Sequence, residues 1–247
     1  MRLMAEIPTK YLNDLSPLLD ADFALAHLVL EDPLYCEFYA EQSKKGRMVI
    51  LDNSMHELPE SLNAGEILEA ADRVKPAFCI PPDKLGDVKF TYDQFEIFRK
   101  KNLAHGHRLA AVLCGSNSAE RAMYYQNVRQ YIDMICLPFR EPRLDWFHEL
   151  LASMPKHSTW PPYIHLLGVN TLDELKVFNA VLDHCGWPRD RRSVDTNKMV
   201  KWGLRNKRLH TLDSLRNAGP LDFKSKMDVS QTLDTVYNIA YVRKFIS

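Results

Sequence analysis

The sequence predicts an α/β chain of the (β/α)8 type, a TIM-like barrel of parallel strands, and three observations carry that prediction. Seven short apolar runs without polar alternation recur along the chain, as strands buried on both faces do. Amphipathic stretches of helical period lie between them. The glycine-rich turns of the competing open α/β folds are missing. No two of the nine glycines lie within eight positions of each other. That leaves no GxGxxG, no GxxxxGK and no GxSxG, which makes a dinucleotide fold, a P-loop NTPase and an α/β-hydrolase poor bets and leaves an open doubly wound sheet as the runner-up.

The strands are read in order from "FALAHLVL" (23–30), "RMVILD" (47–52), "AFCIPPD" (77–83), "RLAAVLCG" (108–115), "IDMICLPF" (132–139), "YIHLLGV" (163–169) and "RRSVD" (191–195). An eighth strand is poorly marked. The helices have terminal signals. Residues 64–75 precede Pro76, residues 92–104 show apolar 3/4 spacing, and residues 118–131 begin at a Ser cap. Residues 143–154 follow Pro142. Residues 171–186 open with Thr171 and Glu174 at capping-box spacing and close at Gly186, and residues 230–245 form a last helix. A length of 247 residues suits one domain spanning 1–247.

Composition narrows the function. No apolar stretch approaches the ~20 residues needed to span a bilayer, and the first residues, "MRLMAEIPTKYLNDL", lack the apolar segment of a signal peptide. A cytoplasmic location with no membrane partner is expected. Five cysteines, the closest pair 22 positions apart, give no CxxC and so no zinc knuckle. His105 and His107 flank Gly106, a spacing compatible with metal, but such a loop pair is more often solvated, so no metal ligand is assigned. Net charge is zero, yet residues 189–210 hold eight bases against Asp190 and Asp195. Arg191, Arg192, Lys198, Lys201, Arg205, Lys207 and Arg208, with Trp202 among them, fit a phosphate-backbone surface; a solvated helix or loop face is the plainer reading.

In a barrel, residues just past strand ends line the active face. Asp52, Asp83 and Asp195 each end a predicted buried strand, and Asp87 follows Asp83 by four. A single such Asp is commonly a turn or helix cap. Three on one rim suggest acid–base or nucleophilic chemistry, or a divalent cation. Without a phosphate loop, and with bases flanking Asp195, the favoured chemistry is attack by a carboxylate at C1′ of a nucleotide lifted from its stack.

The residues at these ends resemble the tRNA-guanine transglycosylases and their phage-type DNA-modifying relatives, (β/α)8 enzymes that exchange guanine for a 7-deazaguanine base. The resemblance runs from about residue 48 to 203. "LDNSMHE" looks like the family's Asp-Ser-Gly-Gly-Phe-Gln segment, which implies a proton-shuttling Asp52 and a base-stacking His56. "CIPPD" resembles the strand that carries the base-recognising Asp, here Asp83, with Asp87 as the alternative. "AAVLCGS" is similar to Val-Gln-Gly, which puts Cys114 where a base-reading Gln is expected, beside Gly115. "CLPFREP" resembles the Gly-Leu-Ala-Val-Gly-Glu-Pro loop, with Leu137 and Pro138 at the base. "HLLGV" resembles Leu-Met-Gly-Val, which brings in Gly168. "SVDTNKMVKWG" resembles the segment with the nucleophile, here Asp195. No cysteine follows Cys185, so the zinc site of the tRNA-acting members is absent, and Ser54 and Met55 replace two glycines.

The resemblance implies a shortened relative that inserts a preQ0-type 7-deazaguanine into nucleic acid, DNA rather than tRNA, without a cofactor. A homodimer or a helper protein is the expected partner beyond the nucleic acid and the base. Two other readings remain: an N-glycosidase or glycoside hydrolase on the same barrel, and a non-catalytic nucleic-acid-binding protein.

Overall fold

A computed structural model of the chain describes residues 1–58, 60–138, 161–169, 171–209 and 226–246. The expected helix over 143–154 lies outside these residues. The elements are β1 (Arg2–Met4), α1 (Leu12–Leu15), β2 (Asp22–Leu25), α2 (Ala26–Glu31), α3 (Pro33–Lys44), β3 (Val49–Asp52), α4 (Ala64–Val74), β4 (Phe78–Cys79), α5 (Val88–Asn102), β5 (Ala110–Val112), α6 (Ser118–Val128), β6 (Met134–Leu137), β7 (Tyr163–Leu166), α7 (Leu172–His184), β8 (Arg192–Asp195), α8 (Lys198–Gly203) and α9 (Val229–Arg243). This is an α/β fold with parallel pairing. No helix among the described residues is long and apolar enough to cross a membrane.

The chain groups into two compact units, Phe23–His165 and Met1–Asp22 with Leu166–Ser247. In the first, β2, β3 and β4 lie side by side, with Ile50 opposite Phe78 and Leu51 opposite Cys79. A parallel bridge joins Cys79 to Leu109, and β5 then pairs with β6 from Ala110–Met134 to Val112–Cys136. Every residue of β4, β5 and β6 is buried, as in parallel sheets covered on both faces. The apolar stripe of α4, with Ile67, Leu68, Ala70, Ala71 and Val74 all buried, faces inward. Each large aliphatic side chain there stabilises the fold by about 1.5–3 kcal/mol. The helix starts at Asn63, whose side chain accepts from Gly65 and Glu66 while Glu66 caps back, a capping box.

In the second unit β1 pairs in parallel with β8, Met4 opposite Asp195. These three residues are the poorly marked strand. Helices α8 and α9 pack against each other so closely that a Cβ on Gly203 would overlap Thr235.

Several elements depart from the expected pattern; α1, α2 and α8, like α3, are additional to the expected helices. The run 23–30 is not one strand: β2 stops at Leu25 and the chain turns into α2 at Ala26. Helix α5 begins at Val88 rather than Tyr92, because Asp87 caps it by accepting from Phe90 N–H at 3.0 Å. Helix α3 is additional to the expected set; Asp32 caps it, Pro33 fills its first turn, and Tyr35 and Tyr39 are its buried residues.

Candidate active site

In the unit Phe23–His165, the ends of β3, β4 and β5 carry one hydrogen-bonded cluster. After Asp52 the backbone turns sharply, and buried Ser54 adopts φ 62°. The half-buried Asp52 closes that turn, its Oδ2 accepting from Ser54 N–H at 2.8 Å. Asn53 is buried and points across to the next strand end. Its Nδ2 donates to Pro81 O at 2.7 Å and to Asp83 Oδ1 at 2.6 Å, and its Oδ1 accepts from Met55 N–H at 3.0 Å. The other Asp83 oxygen accepts from the Cys114 thiol at 3.3 Å.

Asp83 is therefore a carboxylate held at both oxygens. Burial pushes its pKa up, opposed by the hydrogen bonds from Asn53 and Cys114 and by the charge of His56. Burial and the adjacent carboxylate push the Cys114 thiol far above its ordinary value, so it stays protonated and serves as a donor. His56 is exposed. Gly115 follows at φ 150°, where a Cβ would lie 2.9 Å from Arg121 Cγ and 3.1 Å from Arg121 N. Only glycine lets the chain leave β5 this close to α6. Leu137 and Pro138 are buried at and just past the end of β6. Phe139 lies outside the described residues. Asp87 is engaged as the cap of α5, with Lys84 Nζ at 3.7 Å. The structure thus joins Asp83, not Asp87, to the cluster.

Two members of this region escape a reading of the sequence. Asn53 is the hinge of the cluster. His27, just past β2, is buried; its backbone N–H donates to Ser54 Oγ at 3.2 Å, and its Nδ1 has no hydrogen-bond partner among the described residues. Burial lowers its pKa. Its signal is hidden inside an apolar run that reads wholly as strand.

In the other unit Asp195 is buried at the end of β8, and its Oδ1 accepts from Gly168 N–H at 2.8 Å. The Asp195 carbonyl accepts from Val169 N–H at 3.0 Å, and Thr196 Oγ1 donates to Val169 O at 3.2 Å. The basic stretch divides in two. Arg192 is buried, its guanidinium 2.7 Å from Asp183 and bonded to the Trp187 and Asn179 carbonyls, so it holds α7 to β8 and does not face solvent. Hydrogen bonds from two arginines set Asp183 well below an ordinary carboxylate, at about 2, the Arg189 bond contributing most. Arg208 pairs with Asp234 at 2.7 Å. Arg191, Arg205 and Lys207 are exposed, Lys207 over the Trp202 ring, while Lys198 and Lys201 are half-buried.

No family model and no curated protein matches the chain. A solved structure does: KGPDC from Streptococcus mutans, at 10% identity, with 99% of this chain and 98% of that one covered and a TM-score of 0.51. KGPDC is a TIM-barrel enzyme, and at this identity the likeness concerns the fold alone: an α/β architecture similar to that of a TIM barrel.

Proposed function

We propose that the chain is a nucleic-acid transglycosylase that exchanges guanine for a 7-deazaguanine base, with DNA as the polymer. The reading takes the eight strands as one closed (β/α)8 barrel whose strand ends share a mouth. One observation carries it: Asp195 and Gly168, from the two segments "SVDTNKMVKWG" and "HLLGV" that resemble the family's in order, are joined by a 2.8 Å hydrogen bond. A buried carboxylate anchored through one oxygen is oriented for attack, which is what a nucleophile requires.

In the proposed reaction an Asp195 oxygen bonds to C1′ as the C1′–N bond to guanine breaks. Asp52 gives its proton to the departing base. The incoming 7-deazaguanine then loses a proton to Asp52, its nitrogen bonds to C1′, and the Asp195 ester is released. The glycosidic bond is conserved, so no cofactor is consumed. Asp83, fixed by Asn53 and Cys114, accepts from the base edge, and His56 stacks on the base.

The test is a base-exchange assay. The protein is incubated with labelled guanine and, in separate reactions, duplex DNA, single-stranded DNA or tRNA. Label is expected to enter DNA, and an Asp195→Ala variant with unchanged circular dichroism is expected to fall below about a thousandth of that rate. Undiminished incorporation by that variant would overturn the assignment of Asp195. Release of free base with no acceptor present would replace the transglycosylase with a hydrolase.

A further inference from the structure

A second cluster lies at the opposite end of the parallel strands from Asp83 and Cys114. Asp72 is in the last turn of α4, which leads into β4; His105 and His107 are in the loop that leads from α5 into β5. His105 Nδ1 is 2.6 Å from Asp72 Oδ2, and His107 Nε2 is 3.1 Å from Asp72 Oδ1. One ligand atom from each of the three residues lies within 4.8 Å of the others. The two imidazoles are stacked, with 20° between their planes.

The loop is held in place before any ligand arrives. Asn102 Nδ2 donates to the His107 carbonyl at 2.7 Å, and Asn102 Oδ1 accepts from His107 N–H at 3.1 Å. The His107 side chain is only 6% exposed, so packing fixes its ring, whereas the His105 ring reaches solvent. Beside the cluster is a cavity of about 530 Å³ that Asp72 and His105 line together with Arg73 and Lys101.

We propose that Asp72, His105 and His107 bind a divalent transition-metal ion of the zinc class, with one coordination position left open toward this cavity. Two imidazoles and one carboxylate are a recurrent three-ligand set for zinc. Metal bonds of about 2.0–2.2 Å hold tetrahedral donor atoms about 3.4 Å apart, so the triad has to adjust by little more than about 1 Å. Imidazole donors select against magnesium and calcium, which take oxygen ligands. Lys75 Nζ, 2.8 Å from Asp72 Oδ1, supplies the positive charge beside the carboxylate and moves aside when the ion binds. The bound ion cross-links α4 to the α5–β5 loop and stabilises the unit by mass action. The inference is independent of the base-exchange reading.

The experiment uses the full chain, with any affinity tag removed and metal stripped by chelator. Zinc is titrated calorimetrically and cobalt by visible absorption. One zinc per chain, with four-coordinate cobalt d–d bands and a raised melting temperature, is the expected result. His105→Gln, at a ring that reaches solvent, and Asp72→Asn are each expected to weaken binding by about tenfold or more while circular dichroism is unchanged. Absence of saturable binding to the parent chain, or unaltered affinity in both variants, would overturn the proposal.

Discussion

Asp83 is a carboxylate held at both oxygens at a cost in stability. Its native pKa lies above 3.8 because burial outweighs the bonds from Asn53 and Cys114. The native state therefore holds its proton in a pH range where the unfolded chain has released it. Asp83 opposes folding increasingly as pH rises through that range. Asp83→Asn removes the charge, and its Oδ1 still accepts from Asn53. The melting temperature is expected to rise at pH 7, with the gain shrinking as pH falls toward 3.8, while base exchange is lost. A melting temperature that drops at pH 7 would contradict this account. Asp52 and Asp83 are legible in the sequence because each apolar run ends abruptly in a carboxylate. Asn53 is not, because its role is a contact to a residue 30 positions away, which no local period encodes. His27 is hidden because apolar neighbours on both sides suit a strand as well as the first turn of a buried helix.

At the scale of elements, helices with a cap and a wide apolar face are legible. Helix α4 runs from its Asn63 capping box to Val74, and α7 from its Thr171 cap to His184, both within two residues of expectation. Helix α3 escapes because only Tyr35 and Tyr39 are buried along twelve residues, too narrow a stripe for a periodicity argument. Asp32 followed by Pro33 is its available signal. Strand β1 has three residues, fewer than a pattern needs, and is recognisable only through its pairing with β8. The contact between α8 and α9 depends on a residue with no sequence pattern at all. A Cβ at Gly203 would lie 2.8 Å from Thr235 Cα and would overlap its Oγ1. Backbone must move to relieve this, so Gly203→Ala is expected to destabilise by about 1–3 kcal/mol or more. Chemical denaturation checks this. Because α8 follows β8 directly, exchange activity should fall with stability, and Thr235→Ala in the same chain should recover part of both.

For the whole molecule, charge is the property the sequence reports most directly and also the one it most overstates. The formal net charge is zero, so attraction to a polyanion must come from local surface. Eight bases in residues 189–210 suggest as many phosphate contacts. The structure withdraws three of them: Arg189 and Arg192 are tied to Asp183, and Arg208 to Asp234. Arg192 is tied in this way because its buried side chain lies between α7 and β8, a position that a count of charges does not reveal. Arg191, Arg205 and Lys207 are exposed. Each neutralised phosphate on duplex DNA contributes a slope of about −0.9 to log K against log salt. If this segment holds the polymer, the slope is expected near about −3, or about −4 to −5 if Lys198 and Lys201 reach the backbone as well. Fluorescence anisotropy of a labelled duplex across a salt series measures it. Lys207→Gln should reduce the slope by about one, whereas Arg192→Gln should change stability rather than slope. A slope near about −7 would mean that the aspartate pairs open on binding. A slope near zero would remove nucleic acid as the substrate, and with it the basis for assigning Asp195 to C1′ chemistry.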